Sequence, residues 1–178
     1  MQRLIPLPNS TIPWLILLIS IATLGGALLF EHLGGLAPCA LCLLERQPYW
    51  VAIPSAALAG FVSRETNFGY WPLIFLGLCA MAFAIGGGIS TYHAGIEYGL
   101  WPGPTSCTGS GAPMATSLEE LRTGLEAAKI PRCDEIPWSL LGISLAGYNA
   151  LISWGLLFLS LLPIVRFWRG DTGPDGDE

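Results

Sequence analysis

Apolar residues fall in four long blocks along this chain, parted by two short polar breaks and one long hydrophilic segment. The first block runs from about Trp14 to Leu33, with Glu31 and His32 only at its far end. The second runs from about Leu43 to Val62 and carries Glu45 and Arg46 in its opening turn. The third, about Phe68 to Tyr92, and the fourth, about Pro137 to Val165, contain no charged side chain. A bilayer core of about 30 Å needs about 20 helical residues, so each block is predicted to span a membrane as a helix. Pro48, Pro54 and Pro163 are compatible with this, because neighbouring groups in a membrane satisfy the carbonyl that proline frees. The predicted fold class is an all-α membrane protein, a four-transmembrane-helix bundle forming one integral domain over residues 1–178.

The connections are unequal. Residues 34–42 form a tight first loop and 63–67 a tight second one, whereas 93–136 form a long loop. Within that loop, Ser117-Leu118-Glu119-Glu120 reads as a capping box. Leu118, Leu121 and Leu125 follow at helical spacing. A short amphipathic helix is expected there, lying on the membrane surface or packed on the loop itself. Four spans put both termini on one side and the first and third loops on the other.

Composition agrees with a lipid-embedded chain. Hydrophobic residues make up 52% of the 178 and charged residues 12%, with a mean hydropathy of +0.56. A soluble domain carries about 25% charged residues. The net charge of −5 comes from acids in the long loop and the last residues, and no basic patch suggests nucleic acid. Lysine and arginine near the helix ends are tied: Arg3, Arg64, Arg166 and Arg169 on the terminal side against Arg46, Arg122, Lys129 and Arg132 on the loop side. Three of the loop-side bases sit well inside the long loop, so the positive-inside tendency places the termini, including the tail 166–178, in the cytoplasm. Arg3 before an apolar run resembles a signal peptide, but the run is long and Pro38 is a poor residue before a cut, so it is read as the first span.

Five cysteines then become informative. Cys39-Ala40-Leu41-Cys42 is a C-x-x-C at the mouth of the second span. Alone it is ambiguous between metal, iron–sulfur and thiol chemistry. If Cys42 opens that helix, the unpaired amides of the N-terminus favour its thiolate. Arg46, one turn later, lies on the same face, where a guanidinium lowers a thiol pKa and stabilises negative charge on a bound acceptor. The plain alternative is an interfacial arginine reaching head groups. Glu45 either neutralises Arg46 or is solvated. Cys107 and Cys133 lie in the long loop, on the same side as the C-x-x-C. They fit either a structural staple or a redox pair meeting a large partner. Two pairs together suit a relay of thiol–disulfide exchanges. Cys79 falls mid-span and reads as a packing residue.

Cys39-Ala40-Leu41-Cys42-Leu43-Leu44-Glu45-Arg46 resembles the C-x-x-C-x-x-E-R signature of the DsbB family of disulfide-bond formation proteins. Tyr92-His93, the proline-bearing run into Cys107, and Gly142-Ile143-Ser144-Leu145 after Cys133 are similar to that family as well, from about Trp14 to Val165. The resemblance implies a quinone-reducing protein-disulfide oxidoreductase of the bacterial inner membrane, with a bound ubiquinone or menaquinone and a DsbA-like periplasmic thioredoxin-fold partner. By that resemblance Cys107 forms the mixed disulfide with the partner, and Cys133 completes the loop pair and exchanges with Cys39. Cys42 engages the quinone beside Arg46, and His93 is a further quinone-site residue. Departures concentrate around Trp101-Pro102-Gly103-Pro104 and the glycines near Cys107. Rival readings are a relay run as a reductase, resembling the vitamin K epoxide reductase family, a tetraspan protein holding a metal through four cysteines, and a structural adaptor.

Overall fold

In the computed structural model the described residues are 11–64, 70–104 and 132–169. Cys107 and the expected amphipathic helix around Leu118 to Leu125 lie outside them. The described residues form four helices: α1 (Thr11–His32), α2 (Ala40–Val62), α3 (Trp71–Glu97) and α4 (Leu145–Arg169). A small hairpin, β1 (Ser139–Leu140) with β2 (Ile143–Ser144), leads directly into α4.

Three of these helices, α1, α3 and α4, are long and apolar enough to cross a membrane. Helix α2, with 23 residues, is about 35 Å long at 1.5 Å per residue. It has the length, but Glu45 and Arg46 lower its hydropathy. The distribution of side chains is that of a lipid-embedded bundle. Large apolar groups such as Leu18, Phe61, Met81, Leu151 and Phe158 face outward, while Ser20, Ser90, Ser153 and Ser160 are fully buried. Buried hydroxyls without water must find a partner. Ser20 and Ser160 donate to the carbonyls of Ile16 and Leu156, each at 2.7 Å and four residues back.

Helix α3 packs most closely, against α2 on one side and α4 on the other. Small residues allow this: Ala52, Ala56 and Ala59 recur along one stripe of α2, and Leu76, Cys79 and Phe83 of α3 share their core. Cys79, wholly buried, donates its thiol to the Ala52 carbonyl at 3.5 Å, a packing role. Helix α1 rests mainly on α2 and touches α4 much less. The bundle therefore has a cleft between α1 and α4, floored by the first turns of α2. At the far end, Trp14 meets Phe61 edge-on at 5.1 Å, and the Arg64 guanidinium lies 5.3 Å over the Trp14 ring.

Several boundaries differ from those read in the sequence. Helix α2 begins at Ala40, three residues before the expected start, because Cys39 caps it: its Sγ accepts from the Cys42 amide. Helix α3 continues to Glu97, so His93 is inside the helix and not at its end. The fourth apolar block does not begin as helix at Pro137. Leu141 and Gly142 both have positive φ, 53° and 79°. Two such residues between two paired strands are the mark of a tight hairpin turn. Ser144 then starts α4 by accepting the Gly147 amide on its hydroxyl at 3.1 Å, an ordinary serine cap. Tyr98 ties this hairpin to α3, donating to Gly142 O at 3.1 Å and accepting from Ser144 N at 2.9 Å.

Candidate functional site

The first turn of α2 sets the site. Capping leaves Cys39 just outside the helix, and the i, i+3 spacing brings Cys42 back over it. The two sulfurs lie 2.9 Å apart, and both are free thiols. A disulfide needs about 2.05 Å, so a small approach closes the pair. The helix N-terminus thus serves Cys39, not Cys42: the sulfur that receives the Cys42 amide, at 3.2 Å, is that of Cys39. The neighbouring Cys42 thiol is the largest influence holding the Cys39 thiol well below the usual thiol range, aided by His93 and the Cys42 amide and opposed by burial.

His93 comes from the last turns of α3 and is 2% exposed. Its Nε2 lies 3.6 Å from Cys39 Sγ and its Nδ1 2.6 Å from Glu45 Oε1. Glu45 is buried, not solvated, and does not pair with Arg46. Its other oxygen accepts from Asn149 Nδ2 of α4 at 2.8 Å. Asn149 also donates to Ser90 at 2.7 Å and accepts from Tyr49 OH at 2.6 Å. These contacts join α2, α3 and α4 through polar groups that a bilayer interior tolerates only when paired.

Arg46 turns the other way, toward α1, where its guanidinium pairs with Glu31. Adjacent residues on a helix diverge by about 100°, which explains why Glu45 and Arg46 serve different neighbours. Arg46 and Cys42 do share one surface, as the i, i+4 spacing requires: both line the cleft between α1 and α4. The cavity there measures about 240 Å³, just below the roughly 300–1,000 Å³ of small-molecule sites. Its walls are mostly apolar, with Ala27 and Phe30 from α1 and Ala146 and Ile152 from α4, and its polar groups gather at the cysteine end.

Cys133 approaches from the long loop. It is disulfide-bonded and wholly buried, in one small cluster with Cys39, Leu41 and Ile96. The donor atoms of Cys39, His93 and Cys133 all lie within 4.8 Å of one another. That spacing also suits a metal ion, but a disulfide sulfur offers no thiolate to one. Beside Cys133, Arg132 grips Asp134 with two hydrogen bonds of 3.0 and 2.6 Å. Trp138 meets Phe30 of α1 with its ring tilted, the centroids 5.2 Å apart.

Of the residues singled out in the sequence, Cys39, Cys42, Arg46, His93 and Cys133 thus converge, and Cys107 lies outside the described residues. Glu31, Tyr49, Ser90, Glu97 and Asn149 were not foreseen. Glu31 carried a signal, since an ionisable residue within a membrane span is functional by default. Asn149 carried none, being one polar residue in an uncharged stretch.

Known proteins resemble the chain along most of its length. The family described as disulfide bond formation protein DsbB matches residues 9–163. Disulfide bond formation protein B of Photobacterium profundum is 30% identical over 97% of both chains. The protein of the same name from Verminephrobacter eiseniae is 32% identical over 83% of this chain and 82% of its own. An uncharacterised protein of Rickettsia prowazekii is 30% identical over 81% of each. No solved structure matches. With a capped C-x-x-C, a buried, disulfide-bonded Cys133 beside it and helices able to cross a bilayer, the chain belongs to the DsbB family, as a multi-pass membrane oxidoreductase of disulfide bond formation.

Proposed function

We propose that the protein re-oxidises a DsbA-like periplasmic dithiol carrier and hands the electrons through Cys107–Cys133 and then Cys39–Cys42 to ubiquinone or menaquinone. The observation that carries this reading is the meeting of Cys133 with Cys39, whose partner thiol Cys42 lines a cavity together with Arg46. A carrier of this type has a potential near −120 mV, so only a stronger oxidant re-oxidises it, and a membrane quinone qualifies.

Each residue has a distinct task in this scheme. Cys107 receives the attack of the carrier thiolate, and the loop disulfide opens on Cys133. Cys133 forms a disulfide with Cys39, and Cys42 is released as the inner thiolate. Arg46, with Glu31 as its counter-ion, stabilises negative charge beside Cys42. A quinone held in the cleft supplies an acceptor for two electrons and two protons. All four helices are taken to span the bacterial inner membrane, with termini in the cytoplasm and the cysteine loops in the periplasm.

The test mixes the purified protein with a reduced DsbA-type carrier and ubiquinone and follows quinone absorbance. Cys42→Ser is expected to abolish quinone reduction, and Cys107→Ser to abolish turnover with the carrier. Full turnover by both variants would rule the relay out.

A further inference from the structure

An electron relay needs sulfur atoms and an acceptor, but this site contains an additional buried set of groups. His93 is held on one edge by a carboxylate, Glu45, and presents its other edge to sulfur. Glu45 is itself fixed by Asn149, and Asn149 by Tyr49 and Ser90. A nucleophilic sulfur, an imidazole and an orienting carboxylate in series form the arrangement by which enzymes move a proton to and from a thiol. Nε2 faces Cys39 Sγ at 3.6 Å, and one ring nitrogen lies within 4.8 Å of both the Cys39 and Cys133 sulfurs, so the imidazole stands beside both partners of a disulfide exchange.

We infer that His93 is the acid–base group for exchange between the two cysteine pairs, with Glu45 as its positioning residue. The inference rests on the relay reading and gives His93, which also lines the cleft, a task beyond the sequence-based expectation that it binds the quinone. After an external protein dithiol has opened the loop disulfide, Cys133 gives its proton to His93 Nε2. The Cys133 sulfur then bonds to Cys39 Sγ as the Cys39–Cys42 bond breaks. Cys42 leaves with the electron pair as a thiolate, and the proton stays on the imidazole beside Glu45. One S–S bond forms and one breaks. In the reverse direction the Cys42 thiolate attacks Cys39 Sγ, the Cys39–Cys133 bond breaks, and the imidazole returns its proton to the leaving Cys133 sulfur.

The charged and titratable groups around the ring fit this role. From α2 come Glu45 and Cys42, and from the loops Cys39 and Cys133. Helix α3 adds Glu97, whose Oε1 lies 4.0 Å from His93 Nε2 and whose Oε2 is buried with no hydrogen-bond partner among the described residues. Helix α4 contributes the neutral Asn149, and on the α1 side Glu31 is engaged with Arg46. A histidine kept only for packing needs no buried carboxylate behind it, and burying that charge is costly.

The experiment mixes full-length protein in detergent with one equivalent of a reduced DsbA-type carrier. Acid quenching and alkylation then count the free thiols of each pair over time, while quinone absorbance is recorded in parallel. His93→Gln is expected to slow transfer from the loop pair to the inner pair tenfold or more and to flatten its pH dependence. Glu45→Gln, which keeps the side chain's size, is expected to slow the same step to a smaller degree. Transfer at the unaltered rate and pH profile in both variants overturns the inference. So does slowing confined to quinone reduction, which would make His93 a ligand of the acceptor. Failure of the carrier to open the loop pair of the unaltered protein overturns the relay reading itself, and this inference with it.

Discussion

Cys39 gathers three polar groups around one sulfur: the Cys42 thiol at 2.9 Å, the Cys42 amide, which donates, at 3.2 Å, and His93 at 3.6 Å. The first of these is the strongest, so it sets the expected titration. In the reduced protein, ultraviolet thiolate absorbance should persist well below about pH 8.5, the ordinary thiol value. Cys42→Ala should move it back toward that value, and an unmoved titration would refute the assignment. The same depression links to stability, because the unfolded chain binds a proton that the folded one does not. The contribution of Cys39 to the reduced fold is fully present above about pH 8.5 and is lost as pH falls toward the lowered value. Gly95 shows a different constraint at the same scale. A Cβ there would lie 2.0 Å from Trp101, whose indole stacks on Tyr92 and donates to its carbonyl at 2.9 Å. Gly95→Ala should cost about 1–3 kcal/mol through overpacking, read as a lower unfolding midpoint in detergent.

Among the elements, α2 and α4 are joined less by apolar contact than by the Glu45–Asn149–Tyr49 chain. Asn149→Leu removes a partner from Glu45, Tyr49 and Ser90 at once, at about 1–3 kcal/mol for each group left bare. Tyr49→Phe leaves Asn149 Oδ1 short and takes the 3.3 Å contact from the Ser153 hydroxyl, one group fewer, so it should destabilise less. Unfolding midpoints in the opposite order would show that the chain does not couple these helices. This network marks the limit of what the sequence discloses. The apolar blocks revealed α1, α3 and α4 because length and hydropathy are one-dimensional properties. Which side of α2 carries Glu45 is not one-dimensional, since every face of such a helix is largely apolar and no stripe points inward. The hairpin before α4 was hidden for a local reason. Leu141 occupies a left-handed position where asparagine or glycine would have announced a turn. The C-x-x-C was legible, but which cysteine caps the helix was not, because that choice depends on where helical hydrogen bonding begins.

For the whole molecule, Cys39, Cys42, His93 and Cys133 collect at one end of the bundle, while Arg64 and the Trp14 cluster mark the other. The proposed orientation therefore has a direct check. In intact cells, a membrane-impermeant maleimide should reach a cysteine introduced at the exposed Leu141 without permeabilisation, and one introduced at Arg64 only after it. The reverse pattern would invert the protein. Burial of the inner sulfurs has a further consequence. Cys39 and Cys133 are 4% and 0% exposed, so a small thiol dissolved in the surrounding water meets almost no sulfur surface. These two sulfurs are insulated like the core of a cable: in the proposed relay, charge would enter through a docked protein, and a small reductant finds no terminal on Cys39 or Cys133 at which to short it.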